Sequence, residues 1–110
     1  ANLFTDYTFG LWNGSETPEL VTFAKAYSGL SNTEILELDR WIRSNTMSKY
    51  GPVRAVKAEQ IFEIGFEGVH HSKRHKCGYA VRFPRILRQR KDKSIEDIDT
   101  INDLILLAKS

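Results

Sequence analysis

A chain of 110 residues with 16 Lys+Arg, 14 Asp+Glu and a formal charge of +2 is sized for one domain with a real core, too small to hold a second catalytic unit as well. Its 41% hydrophobic and 27% charged residues are those of an ordinary globular protein, which excludes a disordered or fibrous chain. A single cysteine, Cys77, excludes an internal disulfide; no apolar run nears the ~20 residues of a membrane span and no signal-peptide pattern opens the chain, so a membrane-free cytoplasmic module is expected.

Asp6 to Trp12 predicts a strand, with Tyr7, Phe9 and Leu11 alternating against smaller or polar neighbours. Asn13-Gly14-Ser15 is turn chemistry, and a second strand from Leu20 to Tyr27 would complete a hairpin. Ser31 and Glu34 form an S-x-x-E capping box, and Ile35, Leu38, Trp41 and Ile42 share one face of the helix that follows, to about Thr46. Gly51-Pro52 breaks that pattern. Gln60 to His70 alternates again, Phe62, Ile64 and Phe66 against Glu63, Gly65 and Glu67. A basic loop, Ser72 to Lys76, leads into a further strand from Gly78 to Arg90, broken at Pro84, with Phe83 expected to be held extended before the proline. Thr100 and Asp103 start a short C-terminal helix carrying Ile101, Leu104, Ile105 and Ala108.

Two strands, a helix and further strands predict a mainly β fold, a small Greek-key barrel of the OB type with the helix plugging one end. An OB barrel has five strands and only four are legible, so the first is expected to be missing. The incomplete barrel would leave an edge open to strand pairing with a neighbouring chain.

The charge is unevenly spread. Nine Lys/Arg fall between His71 and Lys93 against one acid, Asp92, a net +8 in a chain of net +2, so the remainder carries −6. Such segregation is the electrostatic footprint of a polyanion partner. Its centre is the run Arg82-Phe83-Pro84-Arg85-Ile86-Leu87-Arg88-Gln89-Arg90-Lys91-Asp92-Lys93.

This run, an RFPR leading into R-x-D-K, closely resembles the C-terminal signature of ATP-dependent DNA ligases. Asp6 to Gly10, Lys25 to Leu30, Phe62 to Glu67 and Ser72 to Gly78 also resemble that family's OB domain, in its order and spacing, above all that of bacterial and archaeal members. The last block departs from the usual S-P-R-x-K-S-G at Lys73 and Cys77, which removes no chemistry. The resemblance implies that residues 1–110 are a single OB domain, the C-terminal part of a larger ligase. The opening alanine fits a longer precursor. The nucleotidyltransferase domain, with its K-x-D-G nucleophile, is absent, since no lysine here has an aspartate two residues on. The fragment alone is therefore expected to be inactive.

By the same resemblance, Arg90 and Lys93 contact the β and γ phosphates of ATP during enzyme adenylation, with Asp92 orienting them. Positive charge there would stabilise the leaving pyrophosphate. Arg82 and Phe83 meet the minor groove of nicked duplex DNA, and Arg85, Arg88, Lys73, Arg74 and Lys76 add phosphate contacts. ATP and Mg2+ are the implied cofactors, bound mainly by the nucleotidyltransferase domain. The implied partners are nicked DNA and that domain, in a nucleoid-associated setting of replication, repair or recombination.

Each residue also has a plainer reading. Phe83 could fill the core in phase with Tyr79 and Val81. Trp41 suits a core position better than a stacking platform, and Glu63 and Glu67 suit pairing with arginines better than acid–base work. His70, His71, His75 and Cys77 sit among Lys73, Arg74 and Lys76, which would repel a dication, so no metal site is expected. Two rival functions stay open. One is a freestanding OB protein binding single-stranded nucleic acid, which needs aromatics along a binding face; the other is the matching domain of an RNA ligase or capping enzyme.

Overall fold

The computed structural model describes residues 6–27 and 29–109. Strands β1 (Tyr7–Trp12) and β2 (Leu20–Ala26) form the expected antiparallel hairpin. Asn13 closes the connection, its Oδ1 accepting the backbone N–H groups of Ser15 and Glu19, each at 3.2 Å. The register shifts between Phe9 and Gly10, leaving Phe23 as the extra residue on β2. That bulge explains why consecutive residues Phe23 and Ala24 are both buried: the inward phase moves by one.

Helix α1 (Asn32–Ser44) opens with the capping box in both directions: Ser31 Oγ accepts Glu34 N–H at 3.2 Å and Glu34 Oε1 accepts Ser31 N–H at 3.0 Å. These hydrogen bonds hold the Glu34 carboxyl below its ordinary pKa. Leu38 and Ile42 are the buried positions of the predicted apolar face. Gly29, φ +114, runs against the β-sheet backbone: a Cβ there would stand 1.7 Å from the Ile86 carbonyl oxygen. The glycine of the Lys25–Leu30 block is therefore demanded by close approach; Ser28 of that block lies outside the described residues.

Gly51-Pro52 is not a simple break. Strands β3 (Thr46–Tyr50) and β4 (Val53–Val56) pair across it, Tyr50 opposite Val53, with Gly51 at φ +62 in the tight turn. Met47, Tyr50 and Val53 stay exposed on this ribbon.

The two expected long strands are each interrupted once. β5 (Phe62–Gly65) pairs with β8 (Arg85–Gln89), and β6 (Gly68–His71) pairs with β7 (Tyr79–Arg82). Gly65 faces Arg85 and Gly68 faces Arg82, so the same register runs through the interruption. The four strands are thus one long hairpin, bent where Phe66-Glu67 faces Phe83-Pro84. Phe83 is not extended, as expected from its proline, but sits at φ +53. Pro84 disfavours helical backbone at its predecessor and pushes it toward extended; the bend shared with Phe66-Glu67 overrides that preference and carries Phe83 to positive φ.

After β8 the chain makes a 3-10 turn at Ile95–Asp97 and enters α2 (Ile101–Lys109), where Asp103 Oδ2 accepts Thr100 N–H at 2.9 Å. Leu11, Val21, Phe23, Ala24, Ile101 and Leu104 form the core, flanked by Phe9, Ile64, Phe66 and Val81. The result is a small OB-like, mainly β domain with two helices. Its strands make four two-stranded sheets, and among the described residues they do not close into a barrel. No helix of the described residues is long and apolar enough to cross a membrane.

Candidate nucleic-acid and phosphate interface

The long hairpin positions every candidate cation, and ion pairing sorts them. On the outer face of β5–β8, Arg88 Nε lies 2.8 Å from Glu63 Oε1 and Arg85 Nη1 lies 3.1 Å from Glu67 Oε1. Glu63 and Arg88 are register partners, and Leu87, extruded by the bulge opposite Glu63/Ile64, covers Gly65 between the two pairs. The acids of the alternating segment thus partner arginines, and the middle of the basic run is locally neutral. All four side chains are well exposed, so each pair contributes little to stability.

Beyond the bend the cations are open. Arg82 is exposed, its guanidinium carbon 5.8 Å from the Phe83 ring centroid. Phe83 is 69% exposed, so it does not fill the core. The tip loop carries Lys73 and Arg74, both exposed; with Arg82 they have no ion pair among the described residues. Lys76 pairs with Glu19 of the β1–β2 connection. The loop is shaped by Ser72, whose Oγ is 2.9 Å from His75 Nδ1 and accepts Arg74 N–H at 3.3 Å, and by Gly78 at φ +84. Cys77 turns away, its Sγ donating to the Tyr79 carbonyl at 3.1 Å. The histidines and the cysteine do not converge: no group of three or more His, Cys, Asp or Glu among the described residues could hold a metal ion.

At the other end of β8 lies the R-x-D-K segment. Asp92 accepts two hydrogen bonds from Arg90, Nε to Oδ1 at 2.9 Å and Nη2 to Oδ2 at 2.8 Å. This fork holds the Asp92 carboxyl far below the ordinary carboxylate range. Arg90 is thereby fixed in orientation while Lys93 stays exposed and free of any ion pair among the described residues. The segment borders a cleft of about 390 Å³ whose other wall is α1, with Glu37, Leu38 and Trp41. Trp41 is half-buried there, lining the cleft, and is not among the buried residues of the core. Sequence reasoning missed Glu19 as a partner for Lys76, and nothing local could have signalled a contact made through the fold.

Comparisons with known proteins show the family of this chain. Residues 1–93, ending on Lys93 and holding every candidate cation, match the family described as ATP dependent DNA ligase C terminal region. The chain is 46% identical over 101 residues to a probable DNA ligase of Koribacter versatilis, covering 92% of the chain and 17% of that protein. It is 38% identical over 100 residues to a probable DNA ligase of Opitutus terrae, covering 91% of the chain and 10% of that protein. A DNA ligase of Halorubrum lacusprofundi is 32% identical over 108 residues, 98% of the chain and 18% of that protein. The chain thus spans between a tenth and a fifth of the length of these relatives. Matched over most of its length, the chain belongs to the C-terminal region family of the ATP-dependent DNA ligases.

Proposed function

We propose that this single domain serves a larger ligase in two steps, with a different set of cations for each. During enzyme adenylation Arg90 and Lys93 meet the β and γ phosphates of ATP, stabilising the pyrophosphate as it leaves. Asp92 keeps the Arg90 guanidinium aimed and binds no phosphate itself. During sealing Arg82 and Phe83 enter the minor groove of nicked duplex DNA, and Lys73 and Arg74 hold its phosphates. On this reading the lysine nucleophile and the ligands of Mg2+ are supplied by the nucleotidyltransferase domain. The working place is the DNA of the nucleoid.

The observation that carries this reading is the pairing pattern. Among the described residues Lys93, Lys73, Arg74 and Arg82 are free of ion pairs, whereas Arg85, Arg88 and Lys76 are engaged by carboxylates of other elements and Arg90 by Asp92 of its own turn. Arg85, Arg88 and Lys76 therefore reach DNA only by exchanging those partners. A freestanding single-strand binder needs exposed stacking rings and finds less support: Phe23 is buried, and Phe9, Phe62 and Phe66 are half-buried along an open groove, with Phe9 and Phe62 packed edge to face at 5.5 Å. Among the described residues β1 pairs along its length with β2 alone, apart from the single bridge from Trp12 to Thr100, and an open groove of about 1060 Å³ lies beside Leu11, Phe23 and Ile64. A strand from a neighbouring chain or from the rest of the ligase would complete the barrel there.

The test is Lys93→Ala in the full-length ligase carrying this domain. Self-adenylation should fall by on the order of 10², the usual cost of one charge-stabilising group. Sealing of a pre-adenylated nick should be nearly unchanged; equal losses in both steps would remove the assigned role.

A further inference from the structure

The Arg90–Lys93 turn is bracketed by two fixed points. Upstream, Arg90 N–H donates to the Ile61 carbonyl at 2.7 Å, continuing the sheet. Downstream, the half-buried indole of Trp12 donates Nε1–H to the Ile95 carbonyl at 2.8 Å, across 83 residues of sequence. Trp12 N–H also donates to the Asp99 carbonyl at 3.2 Å, and Trp12 bridges in parallel to Thr100. Residues 91–94 are all that separates the two anchors. Within them Asp92 grips Arg90, and Asp97 Oδ2 accepts Ser94 N–H at 2.9 Å to close the turn. Lys93 has no side-chain hydrogen bond among the described residues, so the backbone is what limits where its ammonium can reach.

We infer that Trp12 is a positioning residue for Lys93: the end of β1, far from the basic run in sequence, sets where the phosphate-contacting turn lies. This rests on the adenylation role proposed for Lys93. The physical ground is that small displacements of a charge from the developing phosphate charge are costly, on the order of 10² in rate for ~1 Å. A tether through one indole N–H to the residue two beyond Lys93 controls that displacement. The backbone link at Asp99, at 3.2 Å, lies four residues farther along the chain than Ile95.

The experiment compares Trp12→Phe, Lys93→Ala and the double variant in the full-length ligase. Lysyl-adenylate formation and sealing of a pre-adenylated nick are measured separately. Trp12→Phe keeps a ring and removes the donor. It should slow adenylation about tenfold, spare sealing of the pre-adenylated nick, and cause no further loss once Lys93 is alanine. Equal losses in both steps, or a loss that persists undiminished in the Lys93→Ala background, would mark Trp12 as merely structural and overturn the inference. Unchanged adenylation would overturn it too. Should Trp12→Phe fold poorly, Trp12→benzothienylalanine, which replaces the N–H by sulfur at nearly constant shape, decides the matter by the same readouts. If Lys93→Ala alone leaves adenylation intact, the adenylation role fails first, independently of Trp12.

Discussion

Phe83 offers the sharpest separation of stability from function. The ring is 69% exposed, so about a third of the ~200 Å² of a phenylalanine is covered, worth about 1.5 kcal/mol at ~25 cal/mol per Å². Its backbone sits at φ +53, a conformation that costs a non-glycine residue ~1–2 kcal/mol. Phe83→Ala keeps the backbone strain and loses the covered area, so it should cost at most about 1.5 kcal/mol. Phe83→Gly loses the same area and relieves the strain, against a glycine entropy cost of ~0.5–1 kcal/mol, so it should cost about 0–1.5 kcal/mol, no more than Phe83→Ala. Urea unfolding of the 110-residue domain reads both values. In the full-length ligase, both variants should weaken nick binding and sealing and leave self-adenylation intact. A core phenylalanine would instead cost ~3–5 kcal/mol on truncation; that result would refute the exposed placement. Small stability changes with undiminished nick binding would refute the DNA role.

Binding of the isolated domain to nicked duplex should be salt-dependent. Two phosphate-contacting cations, Lys73 and Arg74, give a log–log slope of about −2 at ~0.9 per phosphate contact, steeper where Arg82 also displaces counterions from the groove. A fluorescence-anisotropy titration across salt concentrations measures it, and a flat response would contradict the phosphate-driven reading. Gly29→Ala should destabilise the domain by at least about 3 kcal/mol, because both the backbone angle and the approach to Ile86 forbid a Cβ. A thermal midpoint within a few degrees of the parent would show that this loop can move aside.

What the sequence made legible was local. The Ser31–Glu34 box, the Thr100–Asp103 start and the Asn13 turn each complete their hydrogen bonds within six residues, and all appear as expected. The β3–β4 ribbon was not legible, because Met47, Tyr50 and Val53 face solvent and leave no alternation to read. Glu63 and Glu67 were recognisable as partners for arginines, but which arginines depends on a register that a bulge shifts by one. Phe83 misled for a related reason. The rule for a residue before proline describes a local exclusion, whereas the left-handed backbone here answers to a bend shared by two strands.

That bend also bears on how one basic segment could serve two polyanions. A uniform cationic band would hold DNA or triphosphate at any point along it, and would resist the reorientation that the two proposed roles, in adenylation and in sealing, demand. Here the middle of the band is neutralised by Glu63 and Glu67, on strand residues that lie between Arg82 and Arg90. Eight residues of strand path, roughly 25 Å at ~3.3 Å per residue, then separate the open cations at the bend from the braced turn at Arg90–Lys93. On the proposed reading, the two ends face different phosphates in different orientations of the domain, and the glutamates keep the ends apart. Replacing Glu63 and Glu67 by glutamine would restore a continuous band. It should tighten nick binding yet slow turnover, because a domain held on DNA along the whole strand returns less readily to ATP.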